Sequence, residues 1–154
     1  MKTVHAPLVL PDADATTALA QSISPLLQAG DVLLLEGEIG AGKTHFARAL
    51  IQSFVSEDVP SPTFTLVQTY LAPDFEIWHA DLYRLSHPDE AIELGLTEAF
   101  ESAVCLVEWP DKLGDDQPKA ALTLQFLPSG EGREVRFSSD GQGWVDRLKG
   151  ITHV

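Results

Sequence analysis

The 154-residue sequence has one cysteine, one methionine and two tyrosines, and only ten lysines and arginines against 23 aspartates and glutamates. A single cysteine excludes an internal disulfide, and the setting of Cys105 in the apolar run 103–107 marks it as core rather than nucleophile. No apolar run reaches the roughly 20 residues that a spanning helix needs. The opening MKTVHAPLVLPDAD also lacks a long apolar stretch with a small-residue cleavage site, so a cytoplasmic protein with no membrane partner is expected. The shortage of basic residues matters most. A net charge of −13 repels the phosphate backbone that supplies most nucleic-acid affinity, so any RNA is expected to be held by a partner. The same surplus acid also suits a solubilising face.

With 44% apolar residues and no repeat or linker-like tract, the chain fits one globular domain over residues 1–154. Residues 4–10 predict a short strand, and Asp12 or Asp14 caps a helix whose stripe is Leu19, Ile23, Leu26 and Leu27, kinked or ended by Pro25. Residues 31–36 read as a buried parallel strand, followed by a helix over 43–55 with Phe46, Ala49, Leu50 and Phe54 on one side. Strands are predicted at 64–71 and 75–81 around Pro73-Asp74. A helix then starts near Ser86 or His87 with Pro88 in its first turn, and ends at Gly95. Residues 103–107, 120–127 and 133–138 read as further strands, and 143–149 as a short closing helix. This mixed order predicts a three-layer α/β fold, P-loop NTPase-like, with a partly antiparallel sheet.

The segment Gly37, Glu38, Ile39, Gly40, Ala41, Gly42, Lys43, Thr44 matches G-x-x-x-x-G-K-[ST], and it lies where a buried strand gives way to an amphipathic helix. Its glycines permit positive φ and close backbone approach, so successive amides can face phosphate oxygens, and the helix N-terminus adds partial positive charge. Lys43 is expected to reach the β and γ phosphates, and the Thr44 hydroxyl to ligate Mg²⁺. ATP and Mg²⁺ are thus the expected ligands.

A magnesium ion held by a P-loop hydroxyl also calls for an acid at the end of a neighbouring strand. Glu108 closes the uninterrupted run 103–107, and Asp81 closes 75–80. Glu108 is assigned to Mg²⁺, through water, and Asp81 to the metal's outer sphere or to the attacking water, with exchange of the two roles left open. Ser61-Pro62-Thr63 has the hydroxyls of a switch loop, and is equally a good turn into a strand. Arg84 can neutralise phosphate or pair with Asp81. His79 reads as a packed strand residue, Trp78 and Trp144 as packing, and His5, His87 and His153 have no metal-site spacing.

The ordered set GEIGAGKT, SPTFTLVQTY, HADLYRL and LVEWPDK resembles the TsaE (YjeE) family over residues 7–137. The resemblance implies a mixed P-loop α/β fold and an ATPase of bacterial tRNA threonylcarbamoyladenosine biosynthesis, working with TsaD and TsaB. It assigns the work to Lys43 and Thr44, to Thr63 in the switch-like segment, to Asp81, and to Glu108 with Trp109 beside the nucleotide. The family loop more often reads G-D-L-G-A-G-K-T-T, whereas here Glu38-Ile39 and His45 stand in it. These departures spare the glycines, the lysine and the metal hydroxyl.

Two other classes compete. A small-metabolite P-loop kinase would carry an Arg-rich lid, and no basic cluster is present. A nucleotide-dependent switch that docks on a partner with negligible turnover fits the same loop. No Asn-Lys-x-Asp segment marks a GTPase, and no LSGGQ segment a transporter ATPase.

Overall fold

The computed structural model describes residues 2–141 and 143–151, so His153 lies outside the described residues. A seven-stranded sheet runs in the order β1, β7, β6, β2, β5, β4, β3. Its strands are β1 (Lys2–Leu10), β2 (Val32–Glu36), β3 (Val67–Leu71), β4 (Glu76–Asp81), β5 (Val104–Glu108), β6 (Leu122–Ser129) and β7 (Gly132–Ser139). The central four, β6, β2, β5 and β4, are mutually parallel. At one margin β3 pairs antiparallel to β4, and at the other β7 pairs antiparallel to both β6 and β1. The expected mixed sheet is therefore present, with its antiparallel parts at both margins.

Strand alternation sorts the apolar runs into two cores. Leu33, Leu35, Val104 and Leu106 face α1 (Ala13–Ile23) and α2 (Lys43–Gln52), packing with Leu19, Phe46 and Leu50. Val32, Leu34, Cys105 and Val107 face the other way, onto α3 (Asp89–Glu93) and α4 (Leu96–Ala99) through Ala91, Leu96 and Ala99. Both faces of β2 and β5 are thus covered, which explains why each is apolar at every position up to its closing glutamate. Burial raises the Cys105 thiol to about 12, which leaves it an inert core residue.

Asp12 caps α1, its carboxylate accepting from the Ala15 N–H at 2.9 Å, and Pro25 lies in a 3-10 turn at Ser24–Leu26. Helix α2 stops at Gln52 instead of reaching 55, and its buried face is Phe46, Ala47, Leu50 and Ile51, with Ala49 and Phe54 only partly covered. The strand expected over 64–71 begins at Val67. Leu66 takes a left-handed φ of 68° and its N–H turns back to the Pro62 carbonyl at 2.7 Å, which takes residues 63–65 out of the ladder, while the Leu66 carbonyl still accepts from the Asp81 N–H at 2.9 Å. The helix after Pro88 breaks at Gly95, φ 82°, and resumes as α4. Its start is held from inside the helix, with Glu90 Oε1 accepting from the N–H groups of Ser86 and His87, each at 3.0 Å. The closing helix α5 is Trp144–Arg147. Among the described residues no helix is long and apolar enough to cross a membrane.

Candidate phosphate-binding site

Three left-handed glycines shape the turn after β2, at Gly37 (φ 147°), Gly40 (φ 81°) and Gly42 (φ 100°). A Cβ on Gly37 would stand 2.8 Å from the Phe126 carbonyl, so close packing against β6 demands glycine there. Gly42 instead has open space around it, and its backbone angle is what a side chain would strain. It stands at the start of α2, whose first-turn amides open onto a cavity of about 440 Å³. Ile39, Gly40, Ala41, Gly42, Lys43, Thr44, Thr63, Asp81, Glu108 and Trp109 line this cavity, together with His45 and Tyr83. Gly37 and Glu38 do not reach it. Gly37 serves through its carbonyl, which takes the Lys43 ammonium at 2.6 Å, and Glu38 through its carbonyl, which takes the Ala41 N–H at 3.0 Å.

Lys43 is 4% exposed, and its ammonium stands 3.6 Å from the centre of the Trp109 ring. Burial lowers its pKa below the usual lysine value, while Glu108, Asp81 and Asp111 oppose that shift. Trp109 reaches this place from left-handed backbone, φ 59° and ψ 53°, a conformation that costs a non-glycine residue about 1–3 kcal/mol. Its ring also lies 4.9 Å from that of Tyr83. A cation between an aromatic face and a carbonyl is held without being neutralised, and an anion can draw it away.

The parallel register places Asp81 beside Glu108 at the C-terminal edge of β4 and β5, next to the loop that leaves β2. Glu108 is 2% exposed, and its two oxygens have different partners. The Thr44 hydroxyl donates to Oε1 at 2.8 Å, and the fully buried His79 donates from Nε2 to Oε2 at 2.7 Å. Asp81 Oδ2 accepts from the Thr63 hydroxyl at 3.2 Å and Oδ1 from the Tyr83 N–H at 3.1 Å. Ser61 and Thr63 share a hydrogen bond of 2.8 Å, so the switch-like segment is tied to the site through Asp81.

Among the described residues no group of three or more His, Cys, Asp or Glu could cage a metal. The oxygen pair of Thr44 and Glu108 still fits magnesium, which takes few protein ligands and completes its octahedron with phosphate and water. Arg84 lies 5.0 Å from the centre of the exposed Phe64 ring instead of pairing with Asp81. Its side chain leaves the strand end on the solvent side, where an aromatic face replaces a carboxylate.

Two residues of the site are not assigned to it by the sequence, His79, which opens HADLYRL but reads as strand packing, and Arg133. His79 stands two positions before Asp81, so period-2 alternation already puts it on the same face of β4. Arg133 comes from β7, 92 residues along the chain from Ala41, and no spacing rule reaches that far. Its Nε donates to the Ala41 carbonyl at 3.0 Å and its Nη2 to the Gly40 carbonyl at 2.8 Å.

The family model described as threonylcarbamoyl adenosine biosynthesis protein TsaE matches residues 10–135. A Rickettsia felis protein named tRNA threonylcarbamoyladenosine biosynthesis protein TsaE is 43% identical over 106 residues, 68% of this chain and 62% of its own length. The chain thus spans about three fifths of that relative. The Bacillus subtilis protein of the same name is 36% identical over 131 residues, 83% of this chain and 82% of its own. The crystal structure of Bacillus subtilis YdiB has the same fold, with a TM-score of 0.78 at 24% identity over 97% of this chain and 95% of that one. With a glycine loop, a lysine, a hydroxyl and two strand-end acids gathered on one edge of such a sheet, the chain belongs to the TsaE family of threonylcarbamoyl adenosine biosynthesis proteins.

Proposed function

We propose that the chain is a magnesium-dependent ATPase of tRNA threonylcarbamoyladenosine biosynthesis, slow alone and stimulated by TsaD- and TsaB-like partners. The observation that carries this reading is a pair of bonds beside the cavity, Lys43 on the Gly37 carbonyl at 2.6 Å and Thr44 on Glu108 at 2.8 Å. Each holds a group suited to a polyphosphate or its metal on a protein oxygen that a ligand can replace.

Lys43 and the amides at the start of α2 bind the phosphates. Thr44 and Glu108 would hold Mg²⁺, which supplies neutralisation of charge on the phosphoryl oxygens when bound. His79 keeps the Glu108 carboxylate turned toward Thr44. Asp81 orients the attacking water, whose oxygen bonds to the γ-phosphorus as the bond to the bridging oxygen breaks; ADP leaves with that electron pair and a proton passes to solvent. Both Asp81 oxygens are already engaged, by Thr63 and by the Tyr83 amide, which supports slow turnover until a partner draws Thr63 aside.

The net charge of −13 supports indirect action on tRNA, since phosphate brought to this surface meets repulsion. Purified protein, ATP, partners and tRNA, assayed for phosphate release and modification, test the whole reading. Release should rise when the partners are added. Absence of ATP binding in calorimetry, or strong tRNA binding by the isolated chain at physiological salt, would refute it.

A further inference from the structure

We infer that Arg133 aims the Gly42 amide of the glycine loop into the cavity, acting as a positioning residue that touches no ligand; this rests on the nucleotide reading above. Within the loop the Glu38 carbonyl takes the Ala41 N–H and the Gly37 carbonyl takes Lys43, but the carbonyls of Gly40 and Ala41 find their partner only in Arg133. Gly40 and Gly42 allow many backbone angles, and Ala41 between them brings only a methyl group.

Arg133 supplies the missing restraint. Its Nε, Nη1 and Nη2 donate to the carbonyls of Ala41, Gly132 and Gly40 at 3.0, 2.9 and 2.8 Å. Two of these carbonyls belong to consecutive loop peptides. No peptide bond among the described residues is cis, and in a trans peptide the N–H points opposite to the C=O. Drawing the Ala41 carbonyl toward Arg133 therefore turns the Gly42 N–H away from it. Drawing the Gly40 carbonyl the same way sends the Ala41 N–H to the Glu38 carbonyl at 3.0 Å, which closes the turn. Among the described residues no acceptor takes the Gly42 N–H, which leaves it available to phosphate.

The delivery of Arg133 is itself built into the fold. It pairs with Leu10 across the β1–β7 ladder, and a Cβ on the preceding Gly132 would stand 2.3 Å from the Leu10 carbonyl. The hairpin thus lies flush against the corner between β1 and α1, and the guanidinium emerges under the loop. A planar fork can hold two carbonyls at fixed angles, while a lysine ammonium is a point charge that cannot.

The test is calorimetry of ATP and ADP binding to the full chain and to its Arg133→Met and Arg133→Lys variants, with circular dichroism as a folding check. Both variants should weaken both nucleotides by about ten- to a hundredfold, the scale of one charge-assisted hydrogen bond. Turnover at saturating ATP should stay within about threefold of wild type, since uniform binding is what is lost. Affinity within about twofold of wild type in a folded Met variant would overturn the inference, as would full rescue by Lys, which would reduce the role to charge. Failure of the wild-type chain to bind ATP would instead overturn the nucleotide reading. Should neither variant fold, nitrogen-15 NMR of the wild-type chain decides. A slowly exchanging Arg133 Nε–H and a Gly42 amide that moves on adding ATP support the role, and a freely exchanging Nε–H with an unmoved Gly42 amide refutes it.

Discussion

The central parallel strands and the antiparallel margins of this sheet divide the site between them. Strands β2, β4 and β5 end at one edge and carry the groups with chemistry to offer, the loop with Lys43 and Thr44, then Asp81, then Glu108. The margins bring only restraints. Arg133 reaches the loop from β7 on one side, and Thr63 reaches Asp81 from the turn before β3 on the other. Parallel strands with both faces buried can present side chains only at their ends, so reacting groups collect there. Marginal strands are free to lean in and fix the orientation of what the centre supplies.

That division predicts graded effects, largest at the centre. Glu108→Ala should lower partner-stimulated turnover about a hundredfold or more, because the metal loses its protein carboxylate, while ATP affinity measured without magnesium changes far less. Equal losses in both measurements would break the assignment of Glu108 to the metal. His79→Leu removes the donor to Glu108 Oε2 and should weaken magnesium-dependent turnover about ten- to a hundredfold, with His79→Gln recovering part of it. A His79→Leu variant that titrates with magnesium like wild type would show that His79 only packs. Lys43→Ala should cost about 1.5–3 kcal/mol of ATP affinity, about ten- to a hundredfold by calorimetry. Unchanged affinity in a folded variant would remove the lysine from the phosphate site.

At the margin, Thr63→Val breaks a single bond to Asp81 and should shift turnover by severalfold, about 0.5–1.5 kcal/mol. The expected direction is an increase in unstimulated release, because Thr63 restrains Asp81; a decrease would show instead that it positions the water, and no change would leave this margin without a role. The smallest effect concerns pH. Burial, and then Asp111, raise the Glu36 pKa above the usual 4.5, so the folded chain holds that proton to higher pH than the unfolded one. Unfolding free energy should therefore fall as pH rises from about 4.5 through the folded value, and Glu36→Gln should flatten that part of a urea-denaturation series. An identical pH slope in the variant would contradict the shift.

Legibility in the sequence follows the same division. Strands β2 and β5 stood out as unbroken apolar runs because burial on two faces forces every position, and the acids that close β4 and β5 followed from where those runs stop. Strand β3 is three residues shorter than its composition predicts, since Phe64 and Thr65 are strand formers and Leu66 is apolar. Only the left-handed turn at Leu66 removes Phe64 and Thr65 from the ladder, and Phe64 ends 83% exposed beneath Arg84. On α2 the expected Phe46 and Leu50 are buried, while Ala47 and Ile51 take the places expected for Ala49 and Phe54, because the helix ends at Gln52, before Phe54, and ten residues leave little length over which a period can be measured.

By itself the sequence determined the glycine-rich turn, the buried strands on which it depends and the two acids at their ends, because each is a local pattern within a few residues of chain. Which oxygen meets which donor was decided only in three dimensions. Glu108 finds Thr44 and His79 because parallel register sets β4 and β5 edge to edge, and Gly40 and Ala41 find Arg133 because β7 folds back beside β1. Hydrogen bonds act over about 3 Å of space whatever the separation along the chain. Contacts between residues as distant as 41 and 133 leave no periodic or compositional trace, and the fold alone brings them into reach.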